Sequence, residues 1–200
     1  MVGTLFDRNG VRKYLVPLER LAFVSAAVRE EYAVSTFCLT LAFTGARISE
    51  ALALTKPRID RLDETVVFRT LKQRGKIVFR AVPVPRNLIA TLDIASANIQ
   101  AEGQLWTFRR TTAWKLVKAV MKKAGISEDL CKPKALRHAF AVEAVLNGVP
   151  LNILQRWMGH ARLETTAIYA NVLGEEERTL ARRAWGSIEA AMSRQTGGCH

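Results

Sequence analysis

Cysteine is scarce in this 200-residue chain: Cys38, Cys131 and Cys199 stand far apart and form no CxxC pair. That spacing argues against a disulfide framework and a cysteine-based zinc site, and it suits a reducing compartment. Long apolar runs are missing too. The longest, around Phe37 to Phe43, is far too short to span a bilayer, and polar Asp7, Arg8 and Asn9 occupy the place where a secretory leader needs its apolar core. Neither an internal repeat nor a low-complexity linker appears. The expectation is a soluble intracellular protein with no membrane partner.

Acidic residues are in deficit. Eighteen Asp and Glu face 30 Lys and Arg, giving a net charge of +12 and a pI near 10.2. Such an excess favours a polyanionic partner, nucleic acid first and anionic membrane second. The basic residues run from Arg8 to Arg194 and are not gathered in one tail, which predicts a folded basic surface. With 49% hydrophobic residues, the chain suits one domain with one core.

The pattern along the chain predicts a mainly helical α+β protein. Residues 1–16 read as a polar, basic arm, extended or loosely attached. Pro17 opens a helix, and a second from about Val34 to Thr44 is apolar on nearly every side and expected to be central. Gly45 ends that helix as a C-cap, and Arg47-Ile48-Ser49-Glu50-Ala51-Leu52 begins a short third. Two β-branched and aromatic runs, Thr65–Leu71 and Ile77–Val82, flank a polar turn at Gln73-Arg74-Gly75-Lys76. They predict a hairpin, joined by a short strand near Arg58–Arg61 into a small three-stranded antiparallel sheet. Helical periodicity then resumes at about 86–99, 111–123, 134–147, 150–158, 162–170 and 175–192.

Three segments carry chemistry. Arg47 follows a Gly-Ala turn in an apolar stretch, so partial burial is expected, with Glu50 or a phosphate as its anion. The bland alternative is a surface Arg–Glu pair. Arg137, in Lys134-Ala135-Leu136-Arg137-His138-Ala139-Phe140, opens another apolar helix beside a second ionisable group. Arginine suits both places because its planar fork holds two non-bridging phosphate oxygens at once. The third segment joins Gly159-His160 to Tyr169, nine residues on. A phenol ionises near a pKa of about 10, so a nucleophilic Tyr169 needs neighbouring cations or a base. Taken singly, Tyr169 reads as a packing aromatic and His138 as a hydrogen-bonded core residue.

Together, the three segments resemble the catalytic domain of the tyrosine recombinases, the phage integrase family, over roughly residues 15–190. Thr44-Gly45-Ala46-Arg47-Ile48-Ser49-Glu50-Ala51-Leu52 is similar to the family's arginine box. Leu136-Arg137-His138 with Phe140 is similar to its second motif. Met158-Gly159-His160 with Thr165-Thr166 and Tyr169 is similar to its third.

The resemblance implies a helical catalytic domain with a small three-stranded sheet, and a division of the chain into three. These are a basic arm or linker at 1–14, the catalytic domain with its C-terminal helix at 15–192, and a flexible tail at 193–200, with no N-terminal core-binding domain. It also implies roles. Tyr169 attacks the scissile phosphate to form a 3′-phosphotyrosyl link, Arg47 and Arg137 stabilise the transition-state charge, and His160 bonds a phosphate oxygen. A hairpin lysine, Lys72 with Lys76 as the alternative, protonates the leaving 5′-oxygen. Glu50, Lys134 and His138 support the site. No cofactor and no metal are implied.

The implied partner is double-stranded DNA, held by a homotetramer on synapsed duplexes and met by a monomer when free, in the cytoplasm at the nucleoid. One position departs from the family pattern: Lys134 stands where a histidine is usual, three residues before Arg137. Lysine still donates to a phosphate oxygen, yet it is no neutral imidazole base, so the route of the Tyr169 proton is the open step. Two rival readings of the same features are a helix-turn-helix DNA-binding regulator built from 150–158 and 162–170, and a type IB topoisomerase-like activity.

Overall fold

The computed structural model describes residues 5–73, 76–170, 178–179 and 181–186, and of residues 71–73, 76 and 77 the backbone alone. Three helices come first: α1 (Pro17–Val28), α2 (Tyr32–Thr44) and α3 (Ile48–Leu52). A sheet follows, with β1 (Ile59–Asp60), β2 (Thr65–Gln73) and β3 (Lys76–Pro83) antiparallel in the order β1-β2-β3. The rest is helical: α4 (Arg86–Ser96), α5 (Arg110–Lys123), α6 (Pro133–Leu146), α7 (Leu151–Met158), α8 (Glu164–Ala167) and a 3-10 turn over Ile168–Ala170. The α+β architecture expected from the sequence is present.

Local chemistry sets the helix boundaries near the site. Pro17 begins α1, and the Glu19 carboxylate reaches back to accept the Val16 N–H at 3.0 Å. Glu50 does the same for α3, accepting the Arg47 N–H at 2.9 Å. Gly45 ends α2 with φ of 59°, a left-handed conformation that a side chain would strain. A Cβ there would also come within 2.5 Å of Phe140 Cδ1, so α6 packs directly over this turn.

The centre of the molecule is α2, whose Phe37, Cys38, Leu41 and Ala42 are buried, as the all-round apolar pattern predicts. Across the β2–β3 ladder, Val66 pairs with Val82 and Phe68 with Arg80. Val66, Phe68 and Val82 are fully buried on one face, while Phe79, paired with Arg69 on the other face, is exposed. Arg80 therefore occupies a core-facing position in an apolar strand. Pairing shifts between Thr70 and Gln73, at the end of the hairpin that carries Lys72.

Three expectations need correction. Residues 5–16 are not loosely attached: Leu5, Tyr14 and Leu15 are buried, Phe6 bridges Arg12, and Arg12 holds both oxygens of Glu19. The cause is apolar burial at Leu5, Tyr14 and Leu15, which the basic look of the segment masks. The helix expected over 86–99 ends at Ser96, where hydrogen bonds tighten to i→i−3. The single helix expected over 162–170 is instead α8 followed by the 3-10 turn. Thr166 and Tyr169, three residues apart, both point inward, and a three-residue repeat is the 3-10 period.

Of the helix expected over 175–192, residues 178–179 and 181–186 are helical and the remainder lies outside the described residues, as does the tail at 193–200. Among the described residues no helix is long and apolar enough to cross a membrane.

Candidate active site

Four parts of the fold converge on one cluster: the α2–α3 turn, the inner face of β3, the first half of α6, and the chain from the end of α7 to the 3-10 turn. Arg137, in α6, is 9% exposed. Its guanidinium donates to the Gly45 carbonyl, to the Met158 carbonyl and, at 3.2 Å, to His160 Nε2. One side chain thereby joins the α2 C-cap to the α7 C-cap. Burial and the Arg47 charge push its proton affinity down to about 9, against the pull of Glu50, so it remains a cation at neutral pH.

Those contacts settle the state of His160. A guanidinium only donates, so Nε2 must accept, and the ring proton sits on Nδ1, which donates to Thr166 Oγ1 at 2.9 Å. Burial first, then the charges of Arg137, Arg47 and Arg80, push the imidazole down to about 3. It is neutral in this arrangement. Its ring lies parallel to that of Tyr169, at 6° and 6.4 Å between centroids.

Tyr169 is the largest fully buried side chain, 1% exposed. Its hydroxyl lies 2.8 Å from His138 Nδ1, and His138 Nε2 is buried without a hydrogen-bond partner among the described residues. If the phenol donates, one imidazole N–H is left unmatched. If the imidazole donates, the phenolic hydrogen and the Nε2 lone pair are both unmatched. The first arrangement leaves fewer unsatisfied groups, so Tyr169 donates to His138. Burial raises the phenol to about 12, outweighing the opposing charges of Arg137 and Arg47. Burial, with the charges of Lys134, Arg137 and Lys13, lowers His138 to about 4. The proton therefore rests on the tyrosine.

Arg47 differs from the expectation of partial burial: its side chain is 45% exposed, while Glu50 is 1% exposed. The apolar residues around Arg47 bury its carboxylate neighbour and leave the guanidinium at the surface. Glu50 Oε1 accepts from Arg47 Nη1 at 2.7 Å, and Oε2 accepts from Arg80 Nη2 at 2.8 Å. Burial alone would raise the Glu50 carboxyl, but Arg80, the Arg47 N–H and the charges of Arg47 and Arg137 hold it below the usual carboxylate range.

Sequence reasoning missed Arg80. Its signal was available: in the run Ile77 to Val82 it falls on the same alternation as Val82, the inward one. Lys134 lies in the first turn of α6, exposed, one turn before His138. Lys72 lies in β2 and Lys76 begins β3, with Gln73 paired to Lys76 across the turn; the side chains of both lysines are outside the described residues. Thus Arg47, Glu50, Arg137, His138, His160 and Tyr169 come together, and Lys134 flanks them. Among the described residues, no three of His, Cys, Asp or Glu are grouped to hold a metal.

A helical domain with a three-stranded sheet, and an arginine-lined phenol beside a Gly-His turn, define the catalytic domain of tyrosine recombinases. The chain belongs to the phage integrase family, whose sequence profile matches residues 18–176. Tyrosine recombinase XerD of Mycobacterium tuberculosis is 32% identical over 143 residues, covering 64% of this chain and 44% of that protein. Tyrosine recombinase XerA of Pyrococcus furiosus is 28% identical over 156 residues, 73% of this chain and 52% of that one. The chain spans about half the length of the curated relatives it matches.

Among solved structures, a XerA recombinase superposes with a TM-score of 0.73 at 25% identity, over 86% of this chain and 64% of that one. The catalytic domain of bacteriophage HP1 integrase shares the fold at a TM-score of 0.60 and 22% identity, over 78% of this chain and 86% of that one. So does XerH site-specific recombinase, solved with its palindromic difH substrate after cleavage, at 0.69 and 21%, over 86% and 52%.

Proposed function

We propose that this chain is the catalytic domain of a site-specific DNA recombinase, acting from residues 15–192, and that Tyr169 cuts and rejoins strands through a 3′-phosphotyrosyl intermediate. The observation that carries the reading is the buried Tyr169 hydroxyl, bonded to His138 beside the Arg137–His160 pair. A phenol packed only for shape needs no such company.

In the reaction the Tyr169 oxygen bonds to phosphorus, the bond from phosphorus to the 5′-oxygen breaks, and that oxygen leaves with a proton from Lys72, or from Lys76 in its place. Arg47, exposed yet anchored through Glu50, is free to meet a phosphate, and Arg137 and His160 complete the oxyanion cradle. The phenolic proton goes to His138 Nδ1, already its acceptor. The cations that depress His138 are the ones a phosphate anion would offset, so DNA in the site raises the basicity of the imidazole as it supplies the target. This fills the role left open by Lys134, whose ammonium adds to the phosphate-facing charge. Because Tyr169 is 1% exposed, the 3-10 turn over Ile168–Ala170 has to carry the phenol outward before attack. The structure described is a resting form with a protonated nucleophile.

Double-stranded DNA is the partner, as for the XerH complex, and strand exchange between two duplexes calls for four chains, a homotetramer assembled from free monomers. Residues 5–14 belong to the catalytic body, packed through Leu5 and Tyr14, and the site of action is the nucleoid. A helix-turn-helix regulator fits less well, because the segment that would enter the groove is a four-residue helix and a 3-10 turn with Tyr169 facing inward.

The deciding experiment is incubation with nicked suicide duplexes carrying candidate sites from the host genome. A covalent protein–DNA band that vanishes in Tyr169→Phe is expected. No band at any site, with DNA binding intact, would leave a binding protein. Relaxation of any supercoiled plasmid without recombinant product would turn the assignment to a topoisomerase.

A further inference from the structure

Arg80 is the one buried charge of the cluster that no reaction role explains. Its side chain is 4% exposed, too deep to touch a DNA phosphate. Every face of its guanidinium is used. Nη2 donates to Glu50 Oε2 at 2.8 Å, Nε donates to the Trp157 carbonyl at 2.6 Å, and Nη1 donates to Thr70 Oγ1 at 3.4 Å. The group also lies 5.0 Å over the Phe68 ring. Burying a cation this deeply is unfavourable unless its partners repay it, and an apolar residue would fill the same strand position more simply.

We propose that Arg80 is a positioning residue for strand cleavage: it ties the sheet to the arginine box and to the Gly-His turn, and it keeps Arg47 available for phosphate by sharing Glu50. Two observations support this, and it rests on the recombinase reading above. The first is charge. Glu50 paired with Arg47 alone would be a closed ion pair with no net charge to offer DNA. With Arg80 as a second partner, three guanidinium groups surround one carboxylate, and the cluster of Arg47, Arg80, Arg137 and Glu50 keeps a net charge of two, since both imidazoles are neutral.

The second is geometry. The last carbonyls of α7, Trp157 and Met158, are capped by different arginines, Arg80 from β3 and Arg137 from α6. These bonds hold the negative end of the helix and aim the following Gly159-His160 turn. Gly159 is part of the fit: a Cβ there would come within 3.0 Å of Arg80 Cδ and 3.2 Å of Thr70 Oγ1.

The test compares Arg80→Lys, which keeps the charge and loses the fork, with Arg80→Gln, which loses both. Each is checked for folding by circular dichroism, then measured for DNA affinity by gel shift and for single-turnover cleavage of a nicked duplex. Cleavage is expected to fall at least about ten-fold in Arg80→Lys with affinity within about two-fold of the parent, since one to two hydrogen bonds of the fork are lost. Adding Arg47→Lys should then cost less than it does in the parent, because both changes act through Glu50. A folded Arg80→Lys that cleaves at the parent rate, or losses that multiply independently, would overturn the proposal.

Should the parent itself form no Tyr169-linked DNA, the strand-transfer reading fails, and inorganic phosphate then tests Arg80 by nuclear magnetic resonance of the free protein. Weaker phosphate binding in folded Arg80→Gln at neutral pH, recovering as the solution is made acidic because the buried Glu50 carboxyl, relieved of Arg80, takes up a proton and stops neutralising Arg47, supports the charge-sharing role. Unchanged phosphate binding and pH profile would refute it.

Discussion

At the scale of single residues, the bond between Tyr169 and His138 does two jobs. It satisfies a buried hydroxyl, and it holds the proposed nucleophile protonated next to the group that would receive its proton. A neutral hydrogen bond contributes about 1 kcal/mol net, but leaving one buried partner unmatched costs about 1–3 kcal/mol. Replacing either residue by phenylalanine should therefore destabilise the fold by that amount, and replacing both should cost less than the sum. A double-mutant cycle in urea is expected to give a coupling of about 1 kcal/mol, within the usual range for contacting pairs. Coupling near zero would mean that the 2.8 Å contact does not persist in solution. His138→Phe should in addition slow single-turnover cleavage by about 10²- to 10⁴-fold, the range typical of a lost general base.

At the scale of elements, the site depends on where helices stop. The α2 C-cap at Gly45 offers its carbonyl to Arg137 and its bare Cα to Phe140. Gly125 has a similar left-handed φ of 73° but, among the described residues, nothing within 4 Å of a would-be Cβ. Gly125→Ala should thus cost only the conformational penalty of about 1–2 kcal/mol. Gly45→Ala should cost a further 1–3 kcal/mol, roughly, from overlap with Phe140, and should impair cleavage because α6 carries Arg137. Urea midpoints for the two variants check this, and equal losses would contradict the close packing.

Helix stops and the hairpin were also the most legible parts of the fold in the sequence, because Gly45, Pro17 and the period-2 strands act locally. The burial of residues 5–16 was not legible, since it depends on contacts with distant segments that composition does not reveal. In the site, Arg47 and Arg137 were singled out by their apolar settings, and His160 and Tyr169 by their nine-residue spacing. Arg80 was passed over because one charge in an apolar strand is read as solvent-facing until the register is known. The burial of Glu50 in place of Arg47 was not legible for the same reason: an apolar neighbourhood does not say which member of a pair it covers.

At the scale of the whole molecule, residues 47–50, 80, 137–138 and 157–169 assemble into one cationic cluster that only the complete fold can hold. The folded state keeps two imidazoles neutral in that cluster, and this has a consequence for stability. In the unfolded chain each histidine titrates near 6.5; in the fold His138 is pushed down to about 4 and His160 to about 3, in both cases by burial first and neighbouring cations second. Between those limits the unfolded chain binds more protons than the native one, so acid favours unfolding. The contribution of both groups is complete above about pH 6.5 and is lost as pH falls toward 4, with a slope of up to about 1.4 kcal/mol per pH unit from His138. His160 adds a similar slope, over a span of pH that its partial exposure and solvent screening shorten. Glu50, held below the usual carboxylate range, acts in the same direction at lower pH still, since its stabilisation is present above its ordinary value and fades only beneath it. Urea unfolding from pH 8 to pH 4.5 should show a plateau above 6.5 and a decline below it, and His160→Asn should flatten part of that decline. Stability that stays level from pH 6.5 to pH 5 would mean that both rings take up protons in the fold as they do in the unfolded chain, and a charged His160 could not accept the hydrogen bond from Arg137 on which the proposed cradle is built.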